Sequence, residues 1–172
     1  MISVRDFDDL AALSVFQFLD VDDRREAELT RGQGGPLIGL WADWRAMRSA
    51  HVLSIVAHVS EAPASTAFAV LALGNTGQAG VAQAALIARD HTKFRRPLAE
   101  LALTIRDEMP RFCLERGIHR IEARAWADHP RASRFLDAVG FTHEADMPGF
   151  GADGAVTFRQ FAWLSPDLQQ GA

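Results

Sequence analysis

Three kinds of side chain in this sequence could do chemistry. The first is a short basic run, Lys93, Arg95 and Arg96, in the segment HTKFRRP, directly before a helical pattern that begins at Leu98. Clustered cations at a helix entrance can hold phosphate groups, because the helix dipole adds to their charge. The second kind is a set of proton acceptors near strand patterns: Glu122, His58 after the second strand-like run, and Asp90 at the end of another. A general base must lie within hydrogen-bond reach of the proton it takes, so these are candidates only where the fold brings them to a substrate. Gln83 lies in the same region but cannot accept a proton at neutral pH. The third kind is the histidines. None has the His-x-x-x-His spacing with a nearby carboxylate that would mark a zinc site, so no metal is expected. His119 and His143 flank strand ends and read as exposed. Cys113 is the single cysteine and lies on an apolar helical stripe, which points to core packing rather than a nucleophile. No Gly-x-Ser-x-Gly and no Walker loop suggests hydrolase or nucleotide chemistry.

Composition narrows the class. The 172 residues suit one domain over 1–172, with residues 165–172 a loose tail, and 48% of them are apolar, enough for a core without disulfides. A net charge of -4 argues against a general nucleic-acid grip. The N-terminus lacks a basic region followed by an apolar run, and no apolar stretch reaches bilayer length. A cytoplasmic protein without a membrane partner, or one made in the cytoplasm and packaged into a particle, is the expectation.

The elements that must position these residues follow from periodicity. Ile2 to Phe7 reads as a strand, and Asp8 or Asp9 can cap a helix whose apolar face begins at Leu10, Leu13, Phe16 and Phe18. DVDDRREAEL reads as a solvated helix or helix–loop, and RGQGGP as a breaker. Leu37, Leu40, Trp41, Trp44 and Met47 repeat at helical spacing. HVLSIVAHV and TAFAVLALG are strand-like with EAPAS turning between them, and VAQAALIA follows after GNTGQAG. From Leu98 a helix carries Leu101, Ile105, Met109 and Phe112, with a kink or break expected near Arg106 to Pro110.

The stretch ERGIHRIEARAWADHPRASRFLDAVGF is the most informative. Gly117 closes a helix. Ile118 to Ala127 alternates, with Ile121, Ala123 and Ala125 on one face and Arg120, Glu122 and Arg124 on the other. Pro130 suits a first helical position. Ala132, Phe135, Leu136 and Val139 form one stripe, and Gly140 stops it before Phe141. Leu101, Ile105, Phe112, Ile121, Phe135 and Val139 are the expected core.

Strand, Ala127-Asp128-His129-Pro130-Arg131-Ala132, then Val139-Gly140-Phe141, resembles the C-terminal half of the GNAT superfamily of N-acyltransferases. GFGADGAVTFRQFAW is similar to the closing hairpin of its phage-encoded members. The resemblance implies an α/β (α+β) fold, a mixed sheet in the order βαα-βββ-α-β-α-ββ with helices on both faces. In it, strands 81–88 and 118–127 start parallel and splay. It implies an acyl-coenzyme A-dependent N-acyltransferase acting on a small-molecule or protein amine, with acetyl-CoA as cosubstrate. A β-bulge would let the thioester arm lie against Leu86, Ile87 and Ala88. The phosphates would lie over Lys93, Arg95, Arg96, Leu98 and Ala99, with His129 and Arg131 nearby. Glu122 or His58 would be the base.

The sequence also departs from the family pattern. The phosphate loop has no glycine, Pro97 removes an N–H, and His129 replaces the usual Asn. Leu136 stands where members carry a tyrosine acid, and the chain has no tyrosine at all. These departures favour the alternative expectation: a GNAT-fold structural or binding protein, a homodimer or a component of a phage particle. The loops near 30–36 and 144–154, which would shape the acceptor pocket, are generic.

Overall fold

The protein is described from a computed structural model covering residues 1–31, 36–61 and 64–166. Its elements are β1 (Ile2–Asp6), α1 (Asp9–Gln17), α2 (Val21–Arg31), α3 (Leu37–Ala46), a short 3-10 turn (Arg48–Ala50), β2 (His51–Glu61), β3 (Ala64–Asn75), β4 (Val81–Ala88), α4 (Arg95–Arg116), β5 (Arg120–Trp126), α5 (Ala132–Val139), β6 (Thr142–Phe150) and β7 (Val156–Leu164). The breaker at 32–35, the tip of the turn at 62–63 and the tail from 167 lie outside the described residues.

The seven strands form one sheet in the order β1-β2-β3-β4-β5-β7-β6. Only β4 and β5 are parallel, and they pair over four positions, Val81 with Arg120 to Ala84 with Ala123. Both strands continue beyond that point, so they part as expected. A parallel pair needs a long crossover, and α4 supplies it.

Alternation along the strands sends neighbours to opposite faces. Val56 and Val70 pack with Ala12, Val15, Phe16 and Trp44 of α1 and α3. Ala57 and Ala69 pack with Leu101 of α4 and with Phe94, whose ring stacks on Phe68 at 5.6 Å. Helices therefore cover both faces. Ile121, Ala123 and Ala125 are buried as their alternation predicts, with Val139, Phe141 and Cys113 in the same cluster. Leu101 is buried too, while Ile105, Phe112 and Phe135 are only partly so. Burial pushes the Cys113 thiol up to about 11, so it stays protonated and inert.

Several expectations need correction. α4 begins at Arg95 rather than Leu98 and runs through Pro110 to Arg116 without a break. The tertiary packing of Met109 and Cys113 outweighs the single hydrogen bond that Pro110 cannot make to the Arg106 carbonyl. α5 begins at Ala132, so Pro130 is not its first residue. The β3–β4 ladder runs from Ala69–Ala88 to Asn75–Ala82 without a register shift, so β4 carries no bulge there. α2 is a full helix, but Asp23 on it is buried rather than solvated. Gly117 and Gly140 do end their helices, at φ of 65° and 102°.

Candidate functional site where β4 and β5 part

The two strand edges that face each other across the opening can be read from the ladders. Arg89 donates its N–H to Phe68 of β3, so Ala88, one residue earlier, turns its own N–H and C=O toward β5. Ala127 donates to Thr157 of β7, which turns the Trp126 N–H toward β4. These are the backbone groups a ligand in the opening would meet.

All three are engaged by the segment at the start of α2. Ala88 donates to Asp23 Oδ2 at 2.7 Å, and its carbonyl accepts the Asp20 N–H at 2.9 Å. Leu19 bridges Arg89 in antiparallel fashion, so the chain before α2 runs alongside the end of β4. One helical turn further on, Glu26 Oε2 accepts the Trp126 N–H at 3.0 Å. Residues 23 and 26 share a face because they are three apart. The first turns of α2 thus span the opening, one carboxylate on each strand.

The loop after β4 is occupied in the same way. His91 donates its N–H to Asp20 Oδ2 at 2.7 Å. Thr92 and Lys93 donate theirs to Asp90 Oδ1, and Phe94 to the Asp90 carbonyl. Every N–H from His91 to Phe94 already has an acceptor. The Lys93 N–H bond holds the Asp90 carboxyl below its ordinary range. Outside this backbone, Lys93, Arg95, Arg96 and Arg131 remain exposed, with Arg131 Nη2 reaching Thr92 Oγ1 at 3.2 Å.

Below the loop lies a buried cluster that linear spacing concealed. Asp23 Oδ1 is 3.1 Å from His91 Nε2 and 3.0 Å from His129 Nε2, and the three side chains are less than a tenth exposed. Three such atoms close together could ligate a cation. The partners of His129 argue otherwise. Its Nδ1 accepts the N–H groups of Arg131 at 3.2 Å and Ala132 at 3.0 Å, capping α5. An accepting Nδ1 leaves the proton on Nε2, which donates to Asp23. A metal-bound histidine has the reverse arrangement, with its second nitrogen donating. The ring is a clasp between α2 and α5.

Burial works against ionising Asp23, but the hydrogen bonds from His129 and His91 outweigh it and hold its pKa below the ordinary value. Glu26 goes the other way. Desolvation dominates there and raises its pKa to about 6, despite the Trp126 N–H. Of the described carboxylates at the opening, Glu26 is the one tuned toward neutral-pH proton transfer.

The structure brings together only part of the predicted set. Leu86, Ile87 and Ala88 lie on the expected edge of β4, though Leu86 and Ile87 pack into opposite cores. Lys93, Arg95, Arg96 and Arg131 ring the loop, Leu98 and Ala99 are in the first turns of α4, and His129 sits beneath. Glu122 is on the paired part of β5 opposite Gln83, its carboxylate held by Arg120 Nε at 2.8 Å. His58 is on β2 opposite Ser3 of the edge strand, two strands from β4, with its pKa lowered by burial and by Arg5. His58 is therefore on the far side of β3, while Glu122 lies one position inside the last parallel pair, Ala84 with Ala123. Asp20, Asp23, Glu26 and His91 were missed. Their only trace in the sequence is the three-residue spacing of Asp20, Asp23 and Glu26 in a segment that otherwise reads as solvated.

No family model matches the chain, and neither does any curated protein. Solved structures do. Spermidine N-acetyltransferase from Vibrio cholerae, in complex with CoA and spermine, superposes with a TM-score of 0.69 at 11% identity, covering 95% of each chain. The ribosomal-protein-S18-alanine N-acetyltransferase from Escherichia coli gives 0.65 at 13% identity, covering 96% of this chain and 94% of that one. Ard1 from Thermoplasma volcanium gives 0.64 at 19% identity, covering 95% and 97%. The fold is the GNAT fold. Among the described residues no helix is long and apolar enough to cross a membrane.

Proposed function

We propose that this GNAT-fold chain is an acyl-coenzyme A-dependent N-acyltransferase, described here in a closed form. The observation that carries this reading is a set of exposed cations in the loop after β4 and the start of α4, Lys93, Arg95 and Arg96, with Arg131 tied to Thr92 of that loop, in a chain whose net charge is -4. Such a set suits a polyanion such as the coenzyme A phosphates. When bound, the cosubstrate supplies the acyl thioester, and transfer moves the acyl group to an amine that gives up a proton. Glu26, with its raised pKa, is the acceptor we assign to that proton; Glu122 is tied to Arg120 on the paired part of β5, and His58 is two strands from β4. The amine acceptor is not specified by these residues. A polyamine is in the complex of the Vibrio cholerae neighbour, and a cationic amine would also suit the acidic face of α2 here.

In the closed form the residues do not fit the cosubstrate, because the N–H groups that would meet it are taken. That observation favours a second reading, a GNAT-fold binding or structural protein, which by its closing hairpin would be a phage particle component. Calorimetric titration with coenzyme A separates the two. Under the first reading the chain binds, and Arg96→Glu weakens binding by more than about tenfold, since a charge-assisted contact is replaced by repulsion. The same variant should leave the melting temperature nearly unmoved, because Arg96 is exposed. No binding at millimolar coenzyme A, in the wild type or in the opened variants below, leaves the second reading standing.

A further inference from the structure

We propose that the first turns of α2 are a displaceable stopper that keeps the ligand slot between β4 and β5 shut. The proposal rests on the acyltransferase reading of that slot. Its basis is how α2 is attached. α2 buries no apolar residue, whereas α1 buries three and α3 buries Trp44. Its ties to the sheet are polar: Asp23 to Ala88, Asp20 to Ala88 and His91, and Glu26 to Trp126. A clasp from His129 and His91 to Asp23 holds the same turn. An element docked by hydrogen bonds, without an apolar face, belongs to the low-stability end of a structure and can open locally.

The ties are also of a kind that a ligand can replace. Ala88 and Trp126 present backbone groups that an amide-bearing chain can pair with. The loop N–H groups accepted by Asp20 and Asp90 can equally donate to phosphate oxygens. The stopper's carboxylates therefore satisfy groups that would be costly to leave buried and unpaired while the slot is empty. They also repel phosphates from the rim. Binding of a coenzyme A thioester and docking of the first turns of α2 are mutually exclusive.

The test is calorimetric titration of coenzyme A into the full chain, its Asp23→Asn variant and its Asp20→Asn/Asp23→Asn variant. Neutralising the stopper removes the repulsion and weakens its hold, so affinity should rise at least about tenfold in the double variant, with Asp23→Asn between. Hydrogen exchange on the wild type gives a second reading independent of any variant's folding. Saturating coenzyme A should speed exchange of the α2 amides as the helix leaves the sheet. Equal or weaker affinity in the variants, or α2 exchange that slows with ligand, overturns the stopper and leaves the acyltransferase reading in place. Failure of all three proteins to bind overturns that reading, and the stopper with it.

Discussion

α1 and α2 follow each other in the chain and hold on to the sheet by opposite means. α1 inserts Ala12, Val15 and Phe16 into a fully buried cluster with Trp44, Val56 and Val70, and Phe16 meets Trp44 edge to face at 5.7 Å. α2 lays carboxylates on backbone N–H groups that its own sheet leaves unpaired. Apolar packing has no substitute in solution, so α1 is fixed whenever the chain is folded. Carboxylate–amide bonds trade against water or against a ligand of like polarity, so α2 is fixed only while nothing better fills the gap. The difference places stability in α1 and function in α2.

The sharpest way to break this comparison is to truncate one anchor from each helix. Phe16→Ala should lower the unfolding free energy by about 3–5 kcal/mol, because the ring is completely buried and the edge-to-face partner cannot follow it. Urea unfolding measures this directly. A loss under about 1 kcal/mol would mean that α1 is no better anchored than α2.

Asp23→Asn should cost less, about 1.5–3 kcal/mol, the worth of hydrogen bonds to a charged group. Its pH dependence carries more information. Asp23 has a folded pKa below its unfolded value of 3.8, so its contribution is fully present above about pH 4 and is lost only as the pH falls through the lower folded value. The gap between wild type and variant should therefore not close from pH 7 to pH 5. It should widen, because burial lowers the His129 pKa but the bond and charge of Asp23 raise it overall, and the variant loses that. A gap that closes in this range would show that Asp23 is not clasped by the two histidines.

What the sequence discloses divides along the same line. β5 and α5 are legible because apolar periodicity and capping are local: Ile121 alternates with Arg120 and Glu122, and Gly117 and Gly140 mark helix ends. For α1 the Asp8 cap was legible but the face only in part: Leu10 and Phe18 are exposed, and Ala12 and Val15 join Phe16 in the core. The order of strands followed from that pattern together with the family resemblance. The site was legible only at its rim, where Lys93, Arg95 and Arg96 fall within four positions. Its floor was not, because Asp23 meets Ala88 across 65 residues and Glu26 meets Trp126 across 100. A carboxylate that bonds a distant backbone N–H leaves no periodic mark, and in a segment rich in charge it reads as solvated. His129 divides the same way: its place directly before Pro130 reads as a helix cap, which it is, while its bond to Asp23 across 106 residues leaves no mark.

The smallest expected effect is also the most discriminating, because Glu26 lies one turn from Asp23 and should behave in the opposite sense. Its carboxyl titrates at about 6 in the folded chain, against 4.5 as its ordinary value. The folded state thus keeps a proton that the unfolded state has already released. Stability is favoured by this group below about pH 4.5, falls as pH rises through 6, and stays lower above. A shift of that size is worth about 2 kcal/mol, an upper figure for a side chain that retains some exposure. Glu26→Gln keeps an oxygen for the Trp126 N–H and removes the charge. It should match wild type near pH 4.5 and become the more stable protein by up to about 2 kcal/mol at pH 8, as read from urea midpoints at both pH values. In an active preparation the same change should abolish any rate limb that rises near pH 6. A stability difference that does not grow with pH would place the Glu26 carboxyl in solvent, and α2 would then lack its tie to β5.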